Sequence, residues 1–408
     1  MDETPCYFLI IRSLNDRHKY EDVTGIGLEV LGKLGEQFPT KQNAPLILNV
    51  INEAKDLLMN ARDWDSIDKM TNASALASMQ ILSDFMTTCY FVRPTTLFPL
   101  VAMRMVHLTL EHGISVHSAT GFSLFAAILS RNPQNIKYGN HVIGNLALLL
   151  LQKFPSQETT VNVNAVIFTL VKWCNEHISS LIKPLLNSYR TALKIGNHEK
   201  TEICVDQFCC NILLSGQQLK SLKHKIMPFM ESQFSDKTVT MAIEKKVSLS
   251  IFYGMKEGFS FCDDPGRSFA IYIFCLMAAT YFHEYDMGLE SIEAMPPSHC
   301  LIGNYASAVN DFFVGLVSLA IQKSSAKKSK FISITNEFIE KLKMLSMNNP
   351  ENFLNKFTLL EAELSVVNGH ESLAIDLYLQ SIDLARKSKF IREEALACEK
   401  TAMYLFER

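Results

Sequence analysis

Apolar residues recur three and four positions apart along almost the whole chain, most plainly in LLEAELSVV and AIDLYLQSIDLA near its end. That spacing gathers the apolar side chains on one face of an α-helix and leaves the charged ones on the other. Alternation of period two between turn pairs, the mark of a strand, is scarce. The pattern therefore predicts an all-α protein with helices at 4–14, 20–36, 44–60, 73–92, 95–112, 116–130, 134–153, 160–174, 178–194, 199–214, 218–232, 237–256, 266–282, 286–294, 302–322, 329–346, 350–367, 371–387 and 391–406. Three starts are punctuated by a capping side chain ahead of a proline: Asn132-Pro133, Asp264-Pro265 and Asn349-Pro350. Pro45 and Pro94 mark weaker starts.

The end of the chain carries a repeat frame. In NGHESLAIDLYLQSIDLA, Gly369 ends one helix and the next presents Ala374, Tyr378 and Ser381. Small residues let paired helices approach closely, and the ring fills the gap between neighbouring hairpins. This is the physics of the tetratricopeptide repeat, whose period is about 34 residues. REEALACEKTAMYLF follows as the first helix of another unit. The frame recurs in degraded form at Tyr20, Val23, Gly27 and Val30, and again at Tyr285, Gly288, Ile292 and Met295. Tyr189 and Ala192 keep its three-residue step. No Gly/Ser or Pro linker divides the chain. The expectation is one helical-repeat array over 1–408, a tetratricopeptide-like α-solenoid of about nineteen antiparallel helices. Its ends, 1–40 and 348–408, should be regular, and 41–347 should form irregular hairpins.

Composition narrows the partners. Hydrophobic residues make up 48% and charged residues 20%, an ordinary globular balance, and the net charge is -3. There is no basic excess to draw a nucleic acid or an anionic membrane surface. The longest apolar run, 269–282, is shorter than the roughly 18 residues of a membrane span. Ten cysteines are scattered through apolar stretches with no C-x-x-C, and the chain opens on the polar MDETP. Free thiols in a reducing, cytoplasmic setting are expected.

Candidate chemistry thins out under the same reading. GLEVLGKL, Gly27 to Leu34, comes within one residue of a phosphate loop, but Leu34 stands where that loop needs Ser or Thr. The stretch also continues a helix, whereas a phosphate loop joins a strand to a fresh helix N-terminus. Gly25, Gly27 and Gly32 are expected to be small packing residues instead. His283-Glu284 reads as a polar helix end, and Cys209-Cys210 as buried packing, since adjacent helical residues point about 100° apart. His299-Cys300 has no orienting acid nearby in sequence, and His107 and His112 share a helix face poorly. Glu361 and Glu363 fall on different helix faces. KSSAKKSK, 323–330, reads as a solvated loop, and Asn72 as an idle glycosylation acceptor. No catalytic residue, cofactor or metal is assigned.

Four stretches in order carry a resemblance. They are IRSLNDRHKYEDVTGIGLEVLGKLGEQFP, MTNASALASMQILSDFMTTCYFVRPTTLFPLVAMRMVHLTLEHG, FTLVKWCNEHISSLIKPLLNSYRTALKIGN and the closing run from MNNPENFLNKFTLLEAELSVVNGHESLAIDLYLQ to the end. Together the chain resembles the helical repeat region of large signalling proteins. Those proteins join a protein-kinase-like domain, a signal-transduction ATPase, this array, a GAF sensor and often a hybrid histidine kinase. The resemblance implies a fragment or truncated product with the role of a regulatory array. It implies no activity, because the chain has no complete phosphate loop, kinase H-R-D or D-F-G, His box or receiver Asp. Partners would be a protein segment, the neighbouring kinase or ATPase domains, or a small ligand. The alternative is a free-standing adaptor between other proteins.

Overall fold

The computed structural model describes residues 4–39, 43–60, 67–92, 95–132, 134–218, 265–295, 303–324 and 328–406. Among them the protein is all-α, with seventeen α-helices, no strand and one isolated bridge between Lys69 and Ile114. The helices expected at 218–232 and 237–256 lie outside the described residues, as do Pro94, Pro133, Asp264, His299 and Cys300.

Contacts gather the chain into two compact units. The first comprises Met1–Lys172 and Pro184–Cys204, the second Trp173–Lys183 and Val205–Arg408. The first unit opens with α1 (Thr4–Asn15), α2 (Tyr20–Lys33) and α3 (Ala44–Asn60). It continues with α4 (Ala73–Val92), α5 (Leu97–His112) and α6 (Ser118–Leu129). Here α4 packs on α1 and α2, α5 on α3, α4 and α6. All twelve residues of α6, SATGFSLFAAIL, are buried, because the helix has no polar face to offer water. Phe85, Phe98, Phe122 and Phe125 are fully buried at the centre of this core. Burying such a ring contributes about 2–3 kcal/mol.

Beyond α6 the winding departs from expectation. A regular helix over 134–153 is replaced by a π-helix, Tyr138–Gly144, leading into α7 (Asn145–Lys153). The helix expected at 160–174 is α8 (Gln157–Val166), then a π-turn at Ile167–Val171 and a 3-10 turn at Lys172–Cys174. The buried Asn140 gives the reason. Its side-chain N–H donates to the Val171 carbonyl at 3.0 Å, tying the two wide turns together. Gly139 makes room, since a Cβ there would lie 2.8 Å from Leu129 Cβ. A further 3-10 turn, Ile178–Leu181, precedes α9 (Ile182–Lys194) and α10 (His198–Leu214).

The second unit holds α11 (Pro265–Tyr281), α12 (Tyr285–Ala294), α13 (Tyr305–Ser324) and α14 (Lys328–Asn348). It ends with α15 (Pro350–Val367), α16 (Glu371–Lys387) and α17 (Ile391–Phe406). Here α13 touches α11, α12, α14 and α15, and α16 lies against both α15 and α17. Every described residue of α11 from Tyr272 to Thr280 is buried, as its lack of a polar face demands. Tyr305–Lys323 has the length and hydropathy of a membrane span, yet 89% of it is buried inside the protein as a core helix would be. Asn349 caps α15 as expected, accepting from the Asn352 N–H at 3.2 Å with a proline in the first turn. Its amide also donates to the Trp173 and Glu176 carbonyls at 3.0 Å each.

Five helix ends share one device. His18, Gly196, His283, Gly369 and Lys389 take positive φ of 55°, 70°, 58°, 75° and 62°. In each case the next N–H reaches back to a carbonyl of the finished helix, at 2.8 to 3.0 Å. This left-handed cap satisfies an orphan carbonyl and lets the next helix start two residues on.

A polar cleft in the first unit

The repeat-frame residues have distinct surroundings. Ala374, Tyr378 and Ser381 are buried on the face of α16 that meets α15. The Tyr378 hydroxyl donates to Glu363 Oε1 at 2.7 Å, and Ser381 Oγ to the Asn355 carbonyl at 2.9 Å. Gly369 sits in the left-handed cap with open space around it. Gly288 is a pinch point, where a Cβ would lie 2.8 Å from Val317 and 3.1 Å from Ala279. A Cβ on Gly27 would lie 3.0 Å from the Phe85 ring. Gly25 and Gly32 have no such neighbour, which corrects their expected packing role: both turn to open space. Tyr189 and Ala192 are buried on α9. Tyr20 and Tyr285 open their helices, each with its hydroxyl on Nδ1 of the histidine two residues earlier, at 3.0 and 3.1 Å.

The other candidates also find places. Gly27 to Lys33 lie inside α2, with Lys33 Nζ 2.7 Å from Glu29 and 3.1 Å from the Tyr7 hydroxyl. His283 Nε2 lies 3.2 Å from Glu399. Asn72 caps α4 by accepting from the Ala75 N–H at 3.0 Å. Lys323 was expected in a solvated basic loop. It instead ends α13 and pairs with the buried Glu363 at 2.7 Å. Burial alone would raise the Glu363 carboxyl, but Lys400 and Lys323 outweigh it and hold the group below the usual carboxylate range. Lys356 is fully buried, 3.7 Å over the Phe390 ring and 3.3 Å from Glu393; burial lowers its pKa. No group of three or more His, Cys, Asp or Glu that could hold a metal occurs among the described residues.

Among the described residues, a cleft of about 290 Å³ in the first unit is a candidate site. The end of α1 supplies Arg12, Asn15 and Asp16; α4 supplies Ser83 and Asp84. Gln157, Glu158 and Asn162 come from α8, and Gly196, Asn197, Glu199 and Lys200 from the start of α10 and its preceding turn. Local rules position these groups. Asn197 caps α10 by accepting from the Lys200 N–H at 3.0 Å, while the Glu199 N–H donates to Asp16 at 3.3 Å. Asn15 donates to the Asp84 carbonyl at 3.0 Å and accepts from the Thr88 hydroxyl at 2.7 Å.

The charges pair across the cleft. Arg12 reaches Asp84 at 3.4 Å and also bonds Glu158. Lys200 Nζ lies 2.7 Å from Glu199 and also donates to the Thr87 hydroxyl. Burial raises the Asp84 carboxyl above its ordinary range despite the pull of Arg12 and Lys200. Ser83, Asn162 and Glu199 are only 1%, 4% and 7% exposed. One polar atom of each, Ser83 Oγ, Asn162 Oδ1 and Glu199 Oε1, has no hydrogen-bond partner among the described residues. Buried polar atoms are normally bonded, so these three are exceptions within residues that line the cleft. Chemically the arrangement can bind and orient; no nucleophile is set against a base.

None of these residues was singled out from the sequence. They come from segments as far apart as Arg12 and Lys200, and no motif joins them. One signal was present: Asp84 is the sole charged residue of α4, set among apolar neighbours. Comparison of the chain with protein-family models, with curated proteins and with solved structures found no match in any of the three.

Proposed function

We propose that this chain is a non-catalytic regulatory scaffold, the sensor region of a signal-transduction kinase or ATPase, including the histidine-kinase-associated kind. In this reading it is cytoplasmic, its hairpins continue as a tetratricopeptide-like solenoid, and it receives a ligand or a protein segment. The observation that carries the reading is the hairpin run α15–α16–α17, with Ala374, Tyr378 and Ser381 facing α15 and left-handed caps at Gly369 and Lys389. Such arrays present binding surfaces built from repeated units rather than a reaction centre. The test compares the adjoining catalytic domain alone with the same domain joined to this region. A several-fold change in its rate is expected; equal rates would remove the regulatory reading. Calorimetry of this chain with Mg-ATP should show no saturable heat. Micromolar binding lost in Lys33→Ala would make the chain a nucleotide-binding protein instead.

The second reading is a free-standing protein–protein adaptor. The exposed Leu373, Leu379, Met403 and Phe406 of α16 and α17 favour it, since a protein surface could cover them. Coding sequence on either side of this chain separates the two readings.

A further inference from the structure

We propose that the exposed face of α17 is an interface between two copies of this chain, packed antiparallel about a two-fold axis beside Cys398. The stripe Ile391, Ala395, Cys398, Ala402 and Leu405 of one copy lies against the same stripe of the other. The inference goes beyond the reading of this region as a regulatory scaffold and does not depend on it.

The face is wrong for water. Eight residues of α17 are exposed, and among them only Glu399 is charged. Ile391 and Leu405 are 45% and 51% exposed. The neighbouring α16 has the ordinary pattern, with Glu371, Asp376, Asp383, Arg386 and Lys387 on its exposed side. The opposite side of α17, with Leu396, Ala397, Lys400 and Thr401, is buried in the second unit, so the apolar stripe turns outward. A contiguous apolar face of this kind marks a surface that another protein covers. The five stripe residues follow one another by four, three, four and three positions, the seam along which two helices interdigitate. The middle three are small, so the helix axes can approach closely. The choice of a second copy rests on the order of the residues. Large, small, Cys, small, large reads nearly the same in both directions. A two-fold interface requires that self-complementarity, because each surface meets its own copy; a dissimilar partner imposes no such symmetry. With the axis beside Cys398, Ile391 meets Leu405 of the second copy, Ala395 meets Ala402, and Cys398 meets its own counterpart. The seam from Ile391 to Leu405 is about 21 Å long at 1.5 Å per residue, smaller than the roughly 800 Å² per partner of a standard interface. The dimer is therefore reversible, and populated only at micromolar concentrations and above.

The test begins with sedimentation velocity of the full chain in reductant, from about 1 to about 100 μM, the range in which so short a seam associates. Monomer should pass to dimer across it. Ala402→Glu sets a carboxylate in the seam and should hold the chain monomeric throughout. Thermal melts report whether the variant folds; should it fail, Ala395→Glu carries the same expectation. Crosslinking then reads the orientation. Cys6→Ser removes the other exposed thiol among the described residues. In that background, oxidation with diamide should give a covalent dimer that is absent in Cys398→Ser. With Cys6→Ser and Cys398→Ser together, a chain carrying both Ile391→Cys and Leu405→Cys should crosslink, and a chain carrying either one alone should not. A dimer that survives the glutamate variants would overturn the proposal, as would crosslinking of a chain with one of the two new thiols. A monomer at every concentration would leave the stripe to a different protein segment and overturn it as well.

Discussion

At the scale of single residues, buried charge gives the sharpest expectations. Asp311 on α13 is half-buried, and its carboxyl is pushed up from 3.8 to about 7, chiefly by desolvation, with Lys341 pulling it down and Glu337 pushing it up. Between those two values the folded chain holds a proton that the unfolded chain has released. Stability therefore falls as pH rises from about 4 to about 7. Asp311→Asn should match wild type below that window. Above it the variant should be more stable by on the order of 2–4 kcal/mol. Urea midpoints at both ends would show it, and a constant offset at every pH would exclude Asp311 as the cause. The same scale explains why the cleft was not legible. Asp84 stands out only as the lone charge of α4, and Glu199 in α10 reads as an ordinary helical carboxylate. Only the fold brings both to Arg12 and Lys200, and only coordinates show which oxygens are left without partners.

At the scale of elements, the helices were legible because apolar period needs no tertiary knowledge. Asn349-Pro350 fixed the start of α15, and Gly369 its end. The turns were half legible. Gly196 and Gly369 announce a left-handed cap, whereas His18, His283 and Lys389 do the same job without glycine's freedom. His18 and His283 are each held by a tyrosine hydroxyl two residues on, so His-x-Tyr is a second spelling of the same turn. Lys389 is exposed and has φ of 62°. Lys389→Gly should therefore stabilise the α16–α17 hairpin by about 1 kcal/mol, by relieving the Cβ penalty. Gly369→Ala should destabilise by a similar amount, about 1 kcal/mol, although the space there is open, because the cost lies in the backbone. Opposite shifts of the thermal midpoint would show the two effects, and shifts of the same sign would count against this account of the turns. The sequence pattern misjudged 134–181 because π and 3-10 turns leave an apolar run looking helical while changing its winding.

At the scale of the molecule, two compact units predict unfolding in two steps rather than one. Ala374 is fully buried in the second unit, against α15. Ala374→Leu should overpack that contact and cost on the order of 1–3 kcal/mol. In a denaturant titration only one of the two transitions should move. A single transition, moved as a whole, would show that the units melt together. The wide turn at Tyr138–Gly144 has a bearing on the whole first unit. One residue more or less in a helix rotates everything beyond it by about 100°. Removing a residue from this stretch would restore ordinary winding and at the same time swing Leu146, Ala147 and Leu150 of α7 out of the core. The irregular turn thus keeps the two sides of the chain in phase, and the shorter, more regular sequence would be the one that fails to fold.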